Sequence, residues 1–355
     1  MKKLFLSLIA VIAGTMGSYA QSDLIATLTH GSSLTTFTGA DALSEAYTAA
    51  AEGDVITLSP GVFNAVDIEK AITVRGAGMV GLESNGYVST QITGAMTINV
   101  PSGTSSVLTI DGIHALDNVN VYGTDLSPVK LLRSRFEQAV NGWGVNMQAS
   151  FCIFAYSLKA LIHPQNSPNK NTILNCSNCV IRDARSDGYD SSVVAKIVAT
   201  NCVLTATGWT SYGVEYSVFN NCIIIVYDSN YPDLSNTCSI QNCIGIDGYN
   251  FYDTPRNIFV NIIDPSNVLA EGTGEAAFTP IFKTLKSLSS NPAITETFEL
   301  TETAAATYLG NDGTQVGIYG GSYPFDPTPT NPQVKKFTVS NTTDGGTLKV
   351  KINVE

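Results

Sequence analysis

Asn178-Cys179-Val180-Ile181 recurs along the chain as Asn201-Cys202-Val203-Leu204, Asn221-Cys222-Ile223-Ile224 and Asn242-Cys243-Ile244, with the cysteines 23, 20 and 21 residues apart. Phe151-Cys152-Ile153-Phe154 and Ser134-Arg135-Phe136 are earlier, degenerate copies. A period near 21 with one short apolar strand per copy predicts stacked coils that share a core, because no single unit can bury its apolar face alone. Equivalent residues of successive coils then lie about 4.8 Å apart. Alternation along the strand points cysteine and the second residue after it inward. The asparagine falls at a bend, where it tolerates left-handed φ and its amide can bond to that of the next coil. Cysteine is a small hydrophobe that buries well, so a stacked, reduced column is expected at Cys152, Cys179, Cys202, Cys222 and Cys243. Disulfides between adjacent coils and a zinc site are the alternatives. Cys176-x-x-Cys179 is half of such a site, but its other half is missing, since Cys238 and Cys243 are separated by four residues.

Upstream of the repeats, Asp41 stands as N-cap to an Ala-, Leu- and Glu-rich stretch, and Gly53 ends it, so a capping helix is expected over 41–51. Asp54-Val55-Ile56-Thr57-Leu58 and Ala71-Ile72-Thr73-Val74-Arg75-Gly76 then read as strands, with a Pro60-Gly61 turn between them. An open solenoid needs such a helix over its first coil.

These residues, with Ala42-Leu43-Ser44-Glu45-Ala46 and Gly61-Val62-Phe63, resemble the opening of the pectate-lyase-like superfamily. Ser290-Asn291-Pro292-Ala293-Ile294 and Asp312-Gly313-Thr314-Gln315-Val316-Gly317-Ile318-Tyr319-Gly320 are similar to the closing segment of secreted bacterial β-helix proteins. The resemblance implies an all-β, single-stranded right-handed parallel β-helix over 21–321. It implies no catalytic residue, since the arginine-proline-arginine and Trp-Ile-Asp-His motifs of pectate lyases and the signatures of pectin esterases and polygalacturonases do not occur. A Pro/Thr-rich stretch, 322–332, reads as a stiff linker, and 333–355 as a short C-terminal β-hairpin turning at Asp344-Gly345-Gly346. That hairpin is marginal alone and is expected to dock or to meet a protein partner.

Lys2 and Lys3, the apolar run Leu4–Ala13 and small residues at Ser18 and Ala20 make 1–20 a signal peptide, which predicts a secreted or periplasmic product. No cysteine stands directly after the cut, the first being Cys152, so no lipid anchor is expected, and no later stretch is long and apolar enough for a transmembrane segment. Loss of the leader with its two lysines takes the formal charge from −11 to −13, which excludes nucleic acid as a partner on electrostatic grounds.

Two groups of residues carry candidate chemistry. Arg182, Asp183, Arg185 and Asp187, with Asp190 after them, concentrate charge in a chain poor in arginine, and Lys159 and His163 come from the coil before, Lys196 from the one after. A lyase needs a cation and a base, and a glycosidase needs two carboxylates at a set separation. The aspartates would also suit calcium. The competing reading is a salt-bridged loop with no ligand. The second group is aromatic: Trp209, Tyr212, Tyr216 and Tyr227, near Asp228 and Asp233, suit sugar rings, whose C–H faces are apolar and whose hydroxyls need polar partners. The leading expectation is a polysaccharide-binding solenoid; the others are a surface or adhesion spacer and a lyase or hydrolase with an unfamiliar site.

Overall fold

The computed structural model describes residues 24–79, 89–99, 106–123, 128–162, 171–190, 193–206, 216–226, 238–247, 268–273, 280–285, 298–330, 334–344 and 347–354. Residues 1–20, expected as a leader, lie outside them. The described chain is a parallel β-solenoid of about seven turns. Three sheets, of twelve, ten and five strands, run along it.

The first turn is closed by an antiparallel hairpin and a helix. β1 (Ile25–His30) pairs with β2 (Ser33–Thr38) on one side and β3 (Val55–Leu58) on the other. Helix α1 (Ala42–Ala49) lays Ala42, Leu43 and Ala46 on the core, as its apolar spacing requires. Asp41 takes the N-cap position without a side-chain bond to the helix. The other end is capped by Lys70, whose Nζ donates to the carbonyls of Tyr47 and Ala50 at 2.8 Å each. A cation there answers both the orphan carbonyls and the negative end of the helix dipole. From β3 onward the described strands of the three solenoid sheets pair in parallel, except that Gly188–Asp190 turns back antiparallel on Val193–Thr200.

The interior is built from side-chain columns. Phe136 and Phe154 stack with centroids 5.3 Å apart. Cys152, Cys179, Cys202, Cys222 and Cys243 form the inward column and are fully buried. Each thiol donates to the carbonyl two residues before it, at 3.1 Å for Cys222 and 3.4 Å for Cys152. All seven cysteines are free thiols. Geometry favours this, because stacked β-carbons sit about 4.8 Å apart whereas a disulfide draws them to about 3.8 Å. Burial pushes the Cys202 and Cys222 thiols well up, and the hydrogen bond from Cys179 together with burial does the same at Cys176.

The bend between the twelve- and ten-stranded sheets is left-handed in six successive turns: Arg133, Phe151, Asn178, Asn201, Asn221 and Asn242 have φ between 44° and 58°. Each N–H from Arg133 to Asn221 donates to a carbonyl of the next turn, such as Asn201 N to Asn220 O at 3.0 Å. The expected amide ladder exists between Asn221 and Asn201, at 3.3 Å. Asn178 departs from it. Its Nδ2 donates to the carbonyls of Ile318 and Gly320, both at 2.8 Å.

That departure marks the path of the C-terminal segment, which runs back along the corner. Asn311 and Asn221 bond to each other's side chains, the Gly317 N–H donates to the Asn221 carbonyl at 2.8 Å, and Thr330 Oγ1 reaches Asp111 at 2.8 Å. Asp111 is held by a bidentate pair with Arg133, 2.9 Å on each arm. Gly320 must lack a side chain, since a Cβ there would lie 1.8 Å from the Gln315 carbonyl and 2.7 Å from Asn201 Nδ2. Within the proline-rich stretch expected as a linker, Ser322–Pro324 are exposed, whereas Pro329 is buried and Thr330 bonds to Asp111 on the solenoid. The same segment covers the apolar outer face of the last turns, where Phe282, Phe298, Leu300, Val316 and Ile318 bury Val203, Ile223, Ile225, Ile244 and Ile246. The chain ends in the antiparallel hairpin Val334–Asp344 with Thr347–Val354, a two-stranded sheet of its own.

Candidate functional site

The five-stranded sheet positions the site. Its strands are Met96–Asn99, Val119–Tyr122, Val140–Trp143, Leu158–Leu161 and Ala184–Ser186. Alternation buries Val119, Val121, Val140, Leu158 and Ala160 in the core and turns the residues between them outward. Parallel register then stacks the outward residues into two columns. One is Thr97, Asn120, Asn141, Lys159 and Arg185; the other is Asn99, Tyr122, Trp143 and Leu161.

Each column has its own chemistry. Asn141 Nδ2 donates to Asn120 Oδ1 at 2.9 Å, so the amides form a ladder that leaves further donors and acceptors at the surface. Tyr122 and Trp143 stack 7° from parallel, with centroids 4.7 Å apart. Their faces are turned towards each other, so the pair is a ridge of ring edges standing about two residues along the strand from the amide ladder. Both rings are half-buried, which fixes them without covering them. At one end of the strip the Asp67 carboxylate accepts from the Thr97 N–H and Glu69 from Asn99. At the other end sit the cations.

Of the charged residues singled out in the sequence, three meet on this face. Lys159 and Arg185 are direct neighbours on adjacent strands. Arg185 Nε donates to Asp183 at 2.8 Å, and Asp183 is buried. Lys159 has no carboxylate of its own among the described residues. Burial first, then the positive charge of Arg185, lowers its pKa below the ordinary 10.5, with Asp183 opposing. The neutral form is thus favoured by folding, and stability from this group rises as pH climbs through the folded value towards 10.5. Lys159→Met is expected to hold or raise stability in urea at neutral pH and to abolish that alkaline rise, since it relieves an unpaired, partly buried charge.

The remaining candidates do not join them. Arg182 Nη1 turns to the Ala155 carbonyl at 3.2 Å, and Asp187 accepts from the Ile162 N–H at 2.7 Å. Among the described residues no three His, Cys, Asp or Glu side chains converge to hold a metal ion. Tyr216 is exposed with φ 50°, away from the two columns. Trp209, Tyr212 and Tyr227 lie outside the described residues. The sequence reading missed Asn120, Tyr122, Asn141 and Trp143. Their signal was Val119-Asn120-Val121-Tyr122 against Val140-Asn141-Gly142-Trp143, a second repeat 21 residues apart.

A separate polar cluster lies on the ten-stranded sheet. His114 Nε2 meets Glu137 Oε1 at 2.8 Å, and Arg135 donates to the same oxygen. Burial alone would raise the Glu137 pKa, but the hydrogen bonds and charges of Arg135 and His114 outweigh it and hold the carboxyl below its usual 4.5. A depressed folded value means stability present above 4.5 and lost as pH falls through it. Glu137→Gln is therefore expected to flatten the acid limb of a stability-against-pH curve measured by urea unfolding.

Comparisons with family models, with curated proteins and with solved structures return no match.

Proposed function

We propose that this is an exported solenoid that binds a polysaccharide chain laid along its axis on the outer face of the five-stranded sheet. The observation that carries the reading is the Tyr122–Trp143 ridge running beside the Asn120–Asn141 ladder. Sugar units offer apolar C–H groups and hydroxyls at intervals close to the spacing of the turns; the ridge of ring edges gives the first an apolar contact and the amide ladder gives the second hydrogen-bond partners. Lys159 and Arg185 give the strip a cationic end, suited to an anionic substituent on the chain. The basic, apolar leader supports export.

Binding is favoured over cleavage because the described carboxylates along the strip are each engaged: Asp67 by the Thr97 amide, Glu69 by Asn99, Asp183 by Arg185 and Asp187 by a backbone amide. A second reading, a spacer that holds a partner through its tail, draws on the hairpin at 334–354, whose strands pair only with each other among the described residues. Affinity electrophoresis through gels of neutral and acidic polysaccharides separates the two. Retardation by at least one polymer that Asn141→Ala weakens supports the strip; uniform migration through every gel rejects it.

A further inference from the structure

Among the described residues, the N-terminal end of the twelve-stranded sheet presents an uncovered edge. β2 is its outermost strand, paired with β1 alone. The turn between them passes through Gly31 at φ 57° and closes on the His30–Ser33 pair. Alternation of the antiparallel ladder then sends the N–H and C=O groups of Leu34, Thr36 and Thr38 away from β1. Among the described residues no backbone group meets them. Edges of this kind are ordinarily blunted by charge, proline or a bulge. Ser33–Thr38, sequence SLTTFT, has none of these in its register with β1, and every residue but the half-buried Phe37 is exposed, Leu34 at 71%.

We propose that β2 is a self-association edge, at which two copies pair β2 with β2, antiparallel, about a two-fold axis at Thr36. The register is self-complementary. With Thr36 opposite itself, Leu34 faces the partner's Thr38, and all outward groups are satisfied in about six hydrogen bonds. Thr35 then lies beside the partner's Phe37 in the closer, non-hydrogen-bonded pair, a favourable β-branched–aromatic contact. A register shifted to centre on Thr35 makes about four bonds. Charge points the same way: in a chain of formal charge −11, this strand carries none, so self-pairing sets no like charges opposite each other. The exposed Asp41, Glu45 and Glu52 at the same end repel the second copy at longer range, where salt screens them. One strand pair covers less than the roughly 800 Å² per partner of a standard interface, so the association depends on concentration.

Sedimentation velocity of the purified protein, over a roughly hundredfold range of concentration at low and high salt, tests this. A monomer–dimer shift strengthened by salt is expected, and Thr36→Lys, which sets two ammonium groups on the axis, should abolish it with the melting temperature unchanged. If Thr36→Lys itself lowers the melting temperature, Thr38→Lys, opposite the partner's Leu34, decides in its place. A monomer under all conditions overturns the proposal, as does a dimer indifferent to the deciding variant.

Discussion

Asn178→Ala is expected to lose about 3 kcal/mol of stability in urea unfolding, the largest effect of any single polar substitution considered. Two sources add. The buried Nδ2 makes two hydrogen bonds to the carbonyls of Ile318 and Gly320, each contributing about 1 kcal/mol. Alanine at φ 51° also takes on the left-handed penalty, about 1 kcal/mol. Asn178→Gly separates them, since glycine accepts the backbone but loses the bonds, and should cost about 2 kcal/mol. Both variants should also raise the susceptibility of 310–330 to proteolysis, because Asn178 is one of the points at which that segment is held to the corner, with Asn221 and Asp111 the others. A glycine variant as stable as the parent would mean that the two bonds from Asn178 to the returning segment add nothing to the fold.

Trp143→Ala should weaken polysaccharide binding by roughly ten- to a hundredfold, the equivalent of about 1.5–3 kcal/mol for an aromatic contact surface. The reason lies in the stack. Removing the indole deletes half the ridge and leaves Tyr122 without the face that holds it parallel. Trp143→Phe keeps a stacked ring and loses the indole N–H, so an intermediate loss is expected. Isothermal titration with a polymer retained in the gel assay gives the ratio. Stability should fall by only about 1 kcal/mol, since the ring is half-buried and the Val140 strand keeps its inward residues.

The solenoid was legible because its period is written in residues that must recur. The asparagines recur because six consecutive turns need left-handed φ, and the cysteines because the inner corner admits a small apolar side chain. The C-terminal path was not legible. Asn178 bonds to residues about 140 positions away, and no local pattern announces such a contact. Its prolines, read in isolation, suggest a stiff linker, whereas Thr330 meets Asp111, 219 residues earlier and paired with Arg133. The site was half legible. Charge density drew attention to 182–190, and neighbouring turns brought Lys159 to Arg185, but side-chain direction sent Arg182 and Asp187 elsewhere. Among the aromatics, local density at 209–227 outweighed register, although register is what places Tyr122 on Trp143.

Trp143 also supplies the most direct measurement, because the chain has two tryptophans and Trp209→Phe leaves it as the only one. Its emission should change saturably as a retained polysaccharide is added, with the same Kd as calorimetry, and Asn141→Ala should move both midpoints together. Full calorimetric binding with no change in Trp143 emission, or with affinity intact in Trp143→Ala, would contradict binding on the five-stranded sheet.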